Sequence, residues 1–129
     1  MTLMFWLAIA LGGALGAVAR FAMSHATYEW LGRDFAWGTL GVNVTGSFFV
    51  GLLTLLLLDK WAVSAEWKAF LIVGFLGSFT TFATFSYETL QFIQLGEWVK
   101  AVFNILASVL LSILAVLIGF WVAKQFLVL

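Results

Sequence analysis

Hydrophobic residues along this chain fall in four long runs without a single charge: Met1 to Ala19, Phe35 to Leu58, Ala69 to Tyr87 and Ala101 to Ala123. Each run is about 20 residues, the length at which an α-helix crosses a bilayer core. The pattern predicts four transmembrane helices, over about 3–23, 37–58, 68–95 and 100–124. The connections are SHATYEWLGRD, DKWAVSAEWK and the stretch around GEWVK. None has room for a soluble domain, so residues 1–129 read as one four-helix membrane domain. Trp30, Trp37, Trp61, Trp67 and Trp98 fall at or beside the predicted span ends, where indoles favour the interface. The start, MTLMFWLAIALGG, lacks a basic leader and runs unbroken into GALGAVARF, so it reads as a retained span.

Polar residues interrupt the spans in a regular way. Thr39, Asn43 and Ser47 recur every four residues in the second span, so they share one helix face. Asn104, Ser108 and Ser112 do the same in the fourth. Either stripe alone fits ordinary interhelical hydrogen bonding. Together with a Thr-rich third span, the two stripes also fit a continuous polar track. Gly12 and Gly16 form a GxxxG pattern, which signals close packing. Arg20, four residues further on, either snorkels to the interface or faces a wet cavity.

The third span holds the most chemistry. Its stretch GFLGSFTTFATFSYE places Ser78, Thr80, Thr81, Thr84, Ser86 and Glu88 between phenylalanines. Between Lys68 and Glu97 the only charge is Glu88. An unbroken helix of that length would span about 40 Å against roughly 30 Å of hydrocarbon, so it tilts strongly or breaks. The weakest helical part is Gly74 to Thr81, and with no proline present a break near the middle would rest on Gly77. Such a break frees carbonyls that attract a cation. Phe79, Phe82 and Phe85 follow at three-residue spacing. They fit packing groups, and their electropositive ring edges also suit a small anion.

Composition sharpens this picture. The chain is 64% hydrophobic and 9% charged, far from the balance of a soluble domain. It has no cysteine and one histidine, His25, which excludes thiol chemistry and a His-rich metal site. A formal net charge of zero leaves no basic patch for nucleic acid. No nucleophile, base and orienting group occur together, so the chain does not read as an enzyme. Lys60, Lys68 and Lys124 fall on one side of the membrane, and Arg20, Arg33 and Lys100 on the other. This even balance sets no preferred orientation, and it predicts dual topology and an antiparallel homodimer whose two-fold axis lies in the membrane plane. There, Gly77 to Thr80 of one copy would face the same residues of the other.

GGALGAVARF, WGTLGVNVTGSFFVG, GFLGSFTTFATFSYE and AVFNILASVLLS together resemble the Fluc/CrcB fluoride channels along essentially the whole chain. The resemblance implies an inverted, dual-topology homodimer of the cell inner membrane, passing fluoride passively and selectively through two antiparallel pores. It implies that Asn43 hydrogen-bonds fluoride and that Phe82 and Phe85 present ring edges to it. Ser108 and Ser112 would form a polar track, with Thr81, Thr84 and Glu88 along the pore or its mouth and Arg20 at a vestibule. Backbone carbonyls of Gly77 and Thr80 from both subunits would hold a structural sodium ion on the two-fold axis. The chain departs from the family pattern at Ala83, where Ser is frequent, at Ser78, where Gly is common, and at Asn104, where some relatives have Tyr. Two rivals share the four-span layout: a small dual-topology multidrug/proton antiporter, which needs a membrane-embedded carboxylate, and a non-transporting assembly factor whose polar stripes only join helices.

Overall fold

A computed structural model describes residues 1–128. Thr2 caps the first helix, α1 (Leu3–Leu31), its hydroxyl accepting from the Phe5 amide at 3.2 Å. Gly32 closes α1 at φ +88°, its N–H reaching Tyr28 O at 2.8 Å. Helix α2 (Trp37–Leu55) runs on as a π-helical stretch, Leu56–Lys60. Lys60 Nζ donates to Phe126 O at 2.6 Å, tying this end to the end of the last helix.

Ser64 caps α3 (65–79), which is α-helical at Ala65–Lys68, π-helical at Ala69–Leu76 and α-helical again at Gly77–Phe79. Thr80 and Thr81 then adopt extended backbone, with φ/ψ of −92°/157° and −151°/120°. Helix α4 (Phe82–Gln94) starts from Thr81, whose hydroxyl accepts from the Thr84 amide at 3.2 Å. A turn at Gly96 leads into α5 (Trp98–Val128). Among the described residues there are helices and no strands.

The four runs Leu3–Leu31, Trp37–Lys60, Ala65–Gln94 and Trp98–Val128 are each long and apolar enough to span a membrane. This is a multi-pass, all-α membrane protein. Two expectations need correction. The segment SHATYEW is not a loop, because α1 continues eight residues beyond the predicted end at 23, to Leu31. The i,i+4 pair of His25 with Glu29, at 3.0 Å, lies on that extension, and the Tyr28 ring packs over Gly38 of α2. Nor does Gly77 interrupt the third span. It is helical, at φ −62° and ψ −34°, and its own N–H stays bonded inside the helix. The helical ladder fails three residues later, where Asn43 of α2 competes for the Thr81 main chain.

Lipid tails are as apolar as leucine, so helices in a membrane associate mainly by close packing and hydrogen bonds. Glycines set the closest approaches. A Cβ added at Gly51 would lie 2.2 Å from Val116 O, and one at Gly119 would lie 2.1 Å from Phe48 O. Helices α2 and α5 therefore meet backbone to backbone, and this is the most extensive helix pairing in the fold. Gly12 and Gly16 seat α1 on α3 likewise: a Cβ added at either would lie 2.2 Å from a main-chain oxygen, that of Phe70 or Phe75. The GxxxG pattern is a packing seam.

Gly119→Ala should lower the thermal stability of the detergent-solubilised protein by about 1–3 kcal/mol, the usual cost of overpacking. Gly41→Ala, whose added methyl meets nothing closer than 3.9 Å, should change it by less than about 0.5 kcal/mol. Equal melting curves for the two variants would contradict the seam.

Candidate functional site

The site grows from a single amide. Asn43 sits two turns into α2, facing the two extended residues that follow α3. Its Oδ1 accepts from the Thr81 N–H at 2.7 Å, and its Nδ2 donates to Thr81 O at 3.0 Å. An unbroken helix would deliver the Thr81 N–H to Gly77 O and the Thr84 N–H to Thr80 O. Here the first goes to Asn43 and the second to the Thr81 hydroxyl. Gly46, one turn beyond Asn43, makes room for this geometry: an added Cβ would lie 2.3 Å from Thr80 Cγ2.

Around this junction lies a cavity of about 390 Å³ lined by Asn43, Ser47, Thr80, Thr81, Phe82, Phe85, Ser108 and Ser112, with valines and isoleucine filling the wall. No charged residue lines it. An Asn amide carries two N–H donors, and Thr81 O takes only one. The Phe82 and Phe85 rings lie 5.4 Å apart between centroids, inclined at 59°. Phe85 is buried, whereas Phe82 is 76% exposed, so this chain leaves one side of the cavity uncovered. The arrangement offers neutral donors and ring edges, which suit a small anion without holding it through a full opposite charge.

A second cavity, about 270 Å³, holds Arg20, Ser24, Thr39, Thr81 and Thr84. Thr81 lines both cavities. A third, about 250 Å³, is lined by Tyr28, Arg33, Glu88 and Gln91 among others. Between the second and third stands Glu88. Its Oε2 accepts from the Tyr28 hydroxyl at 2.5 Å, and its Oε1 accepts from the Thr39 hydroxyl.

The structure thus gathers Asn43, Thr81, Phe82, Phe85, Ser108 and Ser112 at one cavity, with Thr80 at its edge. Arg20 and Thr84 face the neighbouring cavity, and Glu88 is set apart with Tyr28 and Thr39. Gly77 lines none of these three cavities. The two sequence stripes divide in function. Thr39 goes to Glu88, Asn43 to Thr81, and Ser47 to the first cavity. Asn104 is only 1% exposed and joins α5 to α4, donating to the Thr89 hydroxyl at 2.9 Å. Thr89 in turn donates to Phe85 O at 2.8 Å, and Ser108 donates to Asn104 Oδ1 at 3.4 Å. Sequence reasoning missed Tyr28, Thr89 and Arg33.

A family model described as CrcB-like protein, Camphor Resistance (CrcB), matches residues 7–120. The chain belongs to the CrcB family. It is similar to a relative from Hydrogenovibrio crunogenus named fluoride-specific ion channel FluC, with 58% identity over 93% of this chain and 91% of the relative. A relative of the same name from Magnetococcus marinus is 53% identical over 90% of this chain and 94% of its own length. One from Methylococcus capsulatus is 51% identical, and there the match covers 92% of this chain but 52% of the longer relative. The CrcB match takes in the whole of α2, α3 and α4 and most of α5, and therefore every residue of the first cavity.

Asn43→Asp keeps the acceptor for the Thr81 N–H but sets a second acceptor against Thr81 O. Loss of the donor at this main chain should speed hydrogen exchange of the Thr81 amide by roughly fivefold, from a hydrogen bond contributing about 1 kcal/mol. Unchanged exchange at Thr81 would show that the pairing does not hold the junction.

Proposed function

We propose that the chain is a passive, fluoride-selective channel of the cell inner membrane, assembled as an inverted antiparallel homodimer with two antiparallel pores. One observation carries this reading: a mid-span cavity of neutral hydrogen-bond donors and aromatic edges with no charge in its wall. The names of the relatives point the same way. Fluoride entering such a cavity exchanges its water shell for the free Asn43 N–H, the Ser108 and Ser112 hydroxyls and the edges of Phe82 and Phe85. Neutral donors attract the ion and still release it, as conduction requires. Thr81 and Thr84 extend the route toward Arg20, whose guanidinium would raise the local anion concentration at a vestibule. Glu88 borders the path near its mouth.

The dimer is supported by the uncovered side of the cavity and by the charge balance of three cationic residues on each side of the membrane. A broken third span is part of the same proposal. Gly77 O and Thr80 O lose the donors that a continuous helix would supply, because those N–H groups go to Asn43 and the Thr81 hydroxyl. Freed carbonyls of this kind suit a sodium ion, with two from each subunit meeting at the axis. When bound, sodium would supply positive charge that binds the two copies together. The antiporter alternative finds no support: it needs a carboxylate free to exchange protons, whereas both oxygens of Glu88 are hydrogen-bonded.

Fluoride efflux from proteoliposomes containing only the purified protein tests the reading, and an absence of efflux would overturn it. Phe82→Ile and Phe85→Ile keep bulk but lose the ring edge. Each should slow efflux on the order of tenfold, the scale of an aromatic contact contributing about 1–1.5 kcal/mol. If both variants conduct like the native chain, the rings are packing groups. For topology, a cysteine added at the C-terminus should react with impermeant reagent from both faces of the membrane in about equal amounts. Labelling from a single face would sink the inverted dimer.

A further inference from the structure

Among the polar clusters of the fold, the one around Glu88 has no part assigned to Tyr28. The ring of Tyr28 is seated by two neighbours. Gly38 leaves a slot for it, since an added Cβ there would lie 2.4 Å from the ring's Cε2. The Arg33 guanidinium lies over its face, 4.8 Å from the centroid. So held, the phenol reaches Glu88 Oε2 at 2.5 Å and also lies 3.4 Å from Thr39 Oγ1. Thr39, directly after Gly38 and buried, donates to the other carboxylate oxygen.

The position of this cluster gives it a consequence for ions. Thr39 lines the cavity that contains Arg20, Thr81 and Thr84, while Tyr28 and Glu88 line the cavity that contains Arg33 and Gln91. Glu88 lies one turn beyond Thr84 on the same face of α4. A carboxylate on that face, freed of its donors, would project its charge along the hydroxyls that an anion uses. We infer that Tyr28 is a positioning residue: with Thr39 it latches the Glu88 carboxylate against α1 and α2, keeping that negative charge out of the anion route. The inference rests on the fluoride-channel reading above. Arg33 approaches the cluster from the connection between α1 and α2 and lines the same cavity as Tyr28 and Glu88.

The test is a double-mutant cycle read by fluoride efflux from proteoliposomes, with gel filtration to confirm that each variant assembles as the native chain does. Tyr28→Phe keeps the ring and removes only the hydroxyl. It should slow efflux roughly tenfold, the effect of a unit charge brought on the order of 10 Å from an anion at an effective dielectric near 20. Glu88→Gln sets its own baseline, and in that background Tyr28→Phe should change efflux less than about twofold, because no charge remains to be held back. Thr39→Val removes the second donor at nearly constant shape and repeats the cycle with an independent substitution. Tyr28→Phe within twofold of native overturns the latch, as does equal slowing in both backgrounds, which would mark Tyr28 as packing alone. A native chain that carries no fluoride overturns the channel reading itself, whereas native efflux with an unaffected Tyr28→Phe overturns only the role of Tyr28.

Discussion

The pairing of the Asn43 side-chain amide with both main-chain groups of Thr81 is the interaction on which the rest of the site depends. In hydrocarbon every backbone N–H and C=O must find a partner within the protein. A helix can therefore stop in mid-membrane only where something replaces the bonds it gives up. Asn43 does this on one side of Thr81, and the Thr81 hydroxyl does it on the other by capping α4. From that start α4 carries Phe82, Phe85 and Glu88 into position, so the direction of three site residues is set by one amide on another helix. A glycine at position 46 lets Thr80 approach closely enough for the pairing to form.

Packing and polarity are divided between different seams. Where α2 meets α5 and where α1 meets α3, glycines bring backbones into contact and no side-chain polar group is needed. Where α4 meets α5, the contact is polar, a chain from Ser108 to Asn104 to Thr89 to Phe85 O. Among the described residues no buried side-chain nitrogen or oxygen is left without a partner. The polar seam borders the cavity, so the bonds that hold α4 also fix the backbone beneath the Phe85 ring. Membrane hydrogen bonds contribute only about 0.6 kcal/mol each on average. Their value here lies in orientation more than in strength.

The spans and the polar residues of the site were readable from the sequence because both are composition signals. Charge-free runs mark membrane helices wherever they pack, and Asn, Ser and Thr inside such runs stand out against Leu and Val. What was not readable depended on partners distant in the chain. Gly77 looked like the weakest helical position, yet it stays helical, since the competing acceptor lies on α2 and reaches Thr81 instead. Asn104 and Ser108 share a face and both are buried, but the first bonds to Thr89 of α4 and only the second borders the cavity. Tyr28 was hidden because its segment carries charges and looked like a loop. Its helix is stabilised by contacts with Gly38, Arg33 and Glu88 that no local pattern encodes.

The placement of charge follows from these same contacts. The wall of the first cavity carries none, Arg20 lies in the adjoining cavity, and Glu88 is bonded on both oxygens where it lines the third. A cation in the wall of the first cavity would bind an anion strongly and slow its exit, and an unpaired carboxylate there would repel it. Keeping both at a remove leaves the anion to groups that contribute partial charges only. Such a layout needs the rings and the amide to be held rigidly, since weak contacts discriminate only when their geometry is fixed in advance. That rigidity comes from Asn43, which lines the cavity and also holds the Thr81 main chain that shapes its wall.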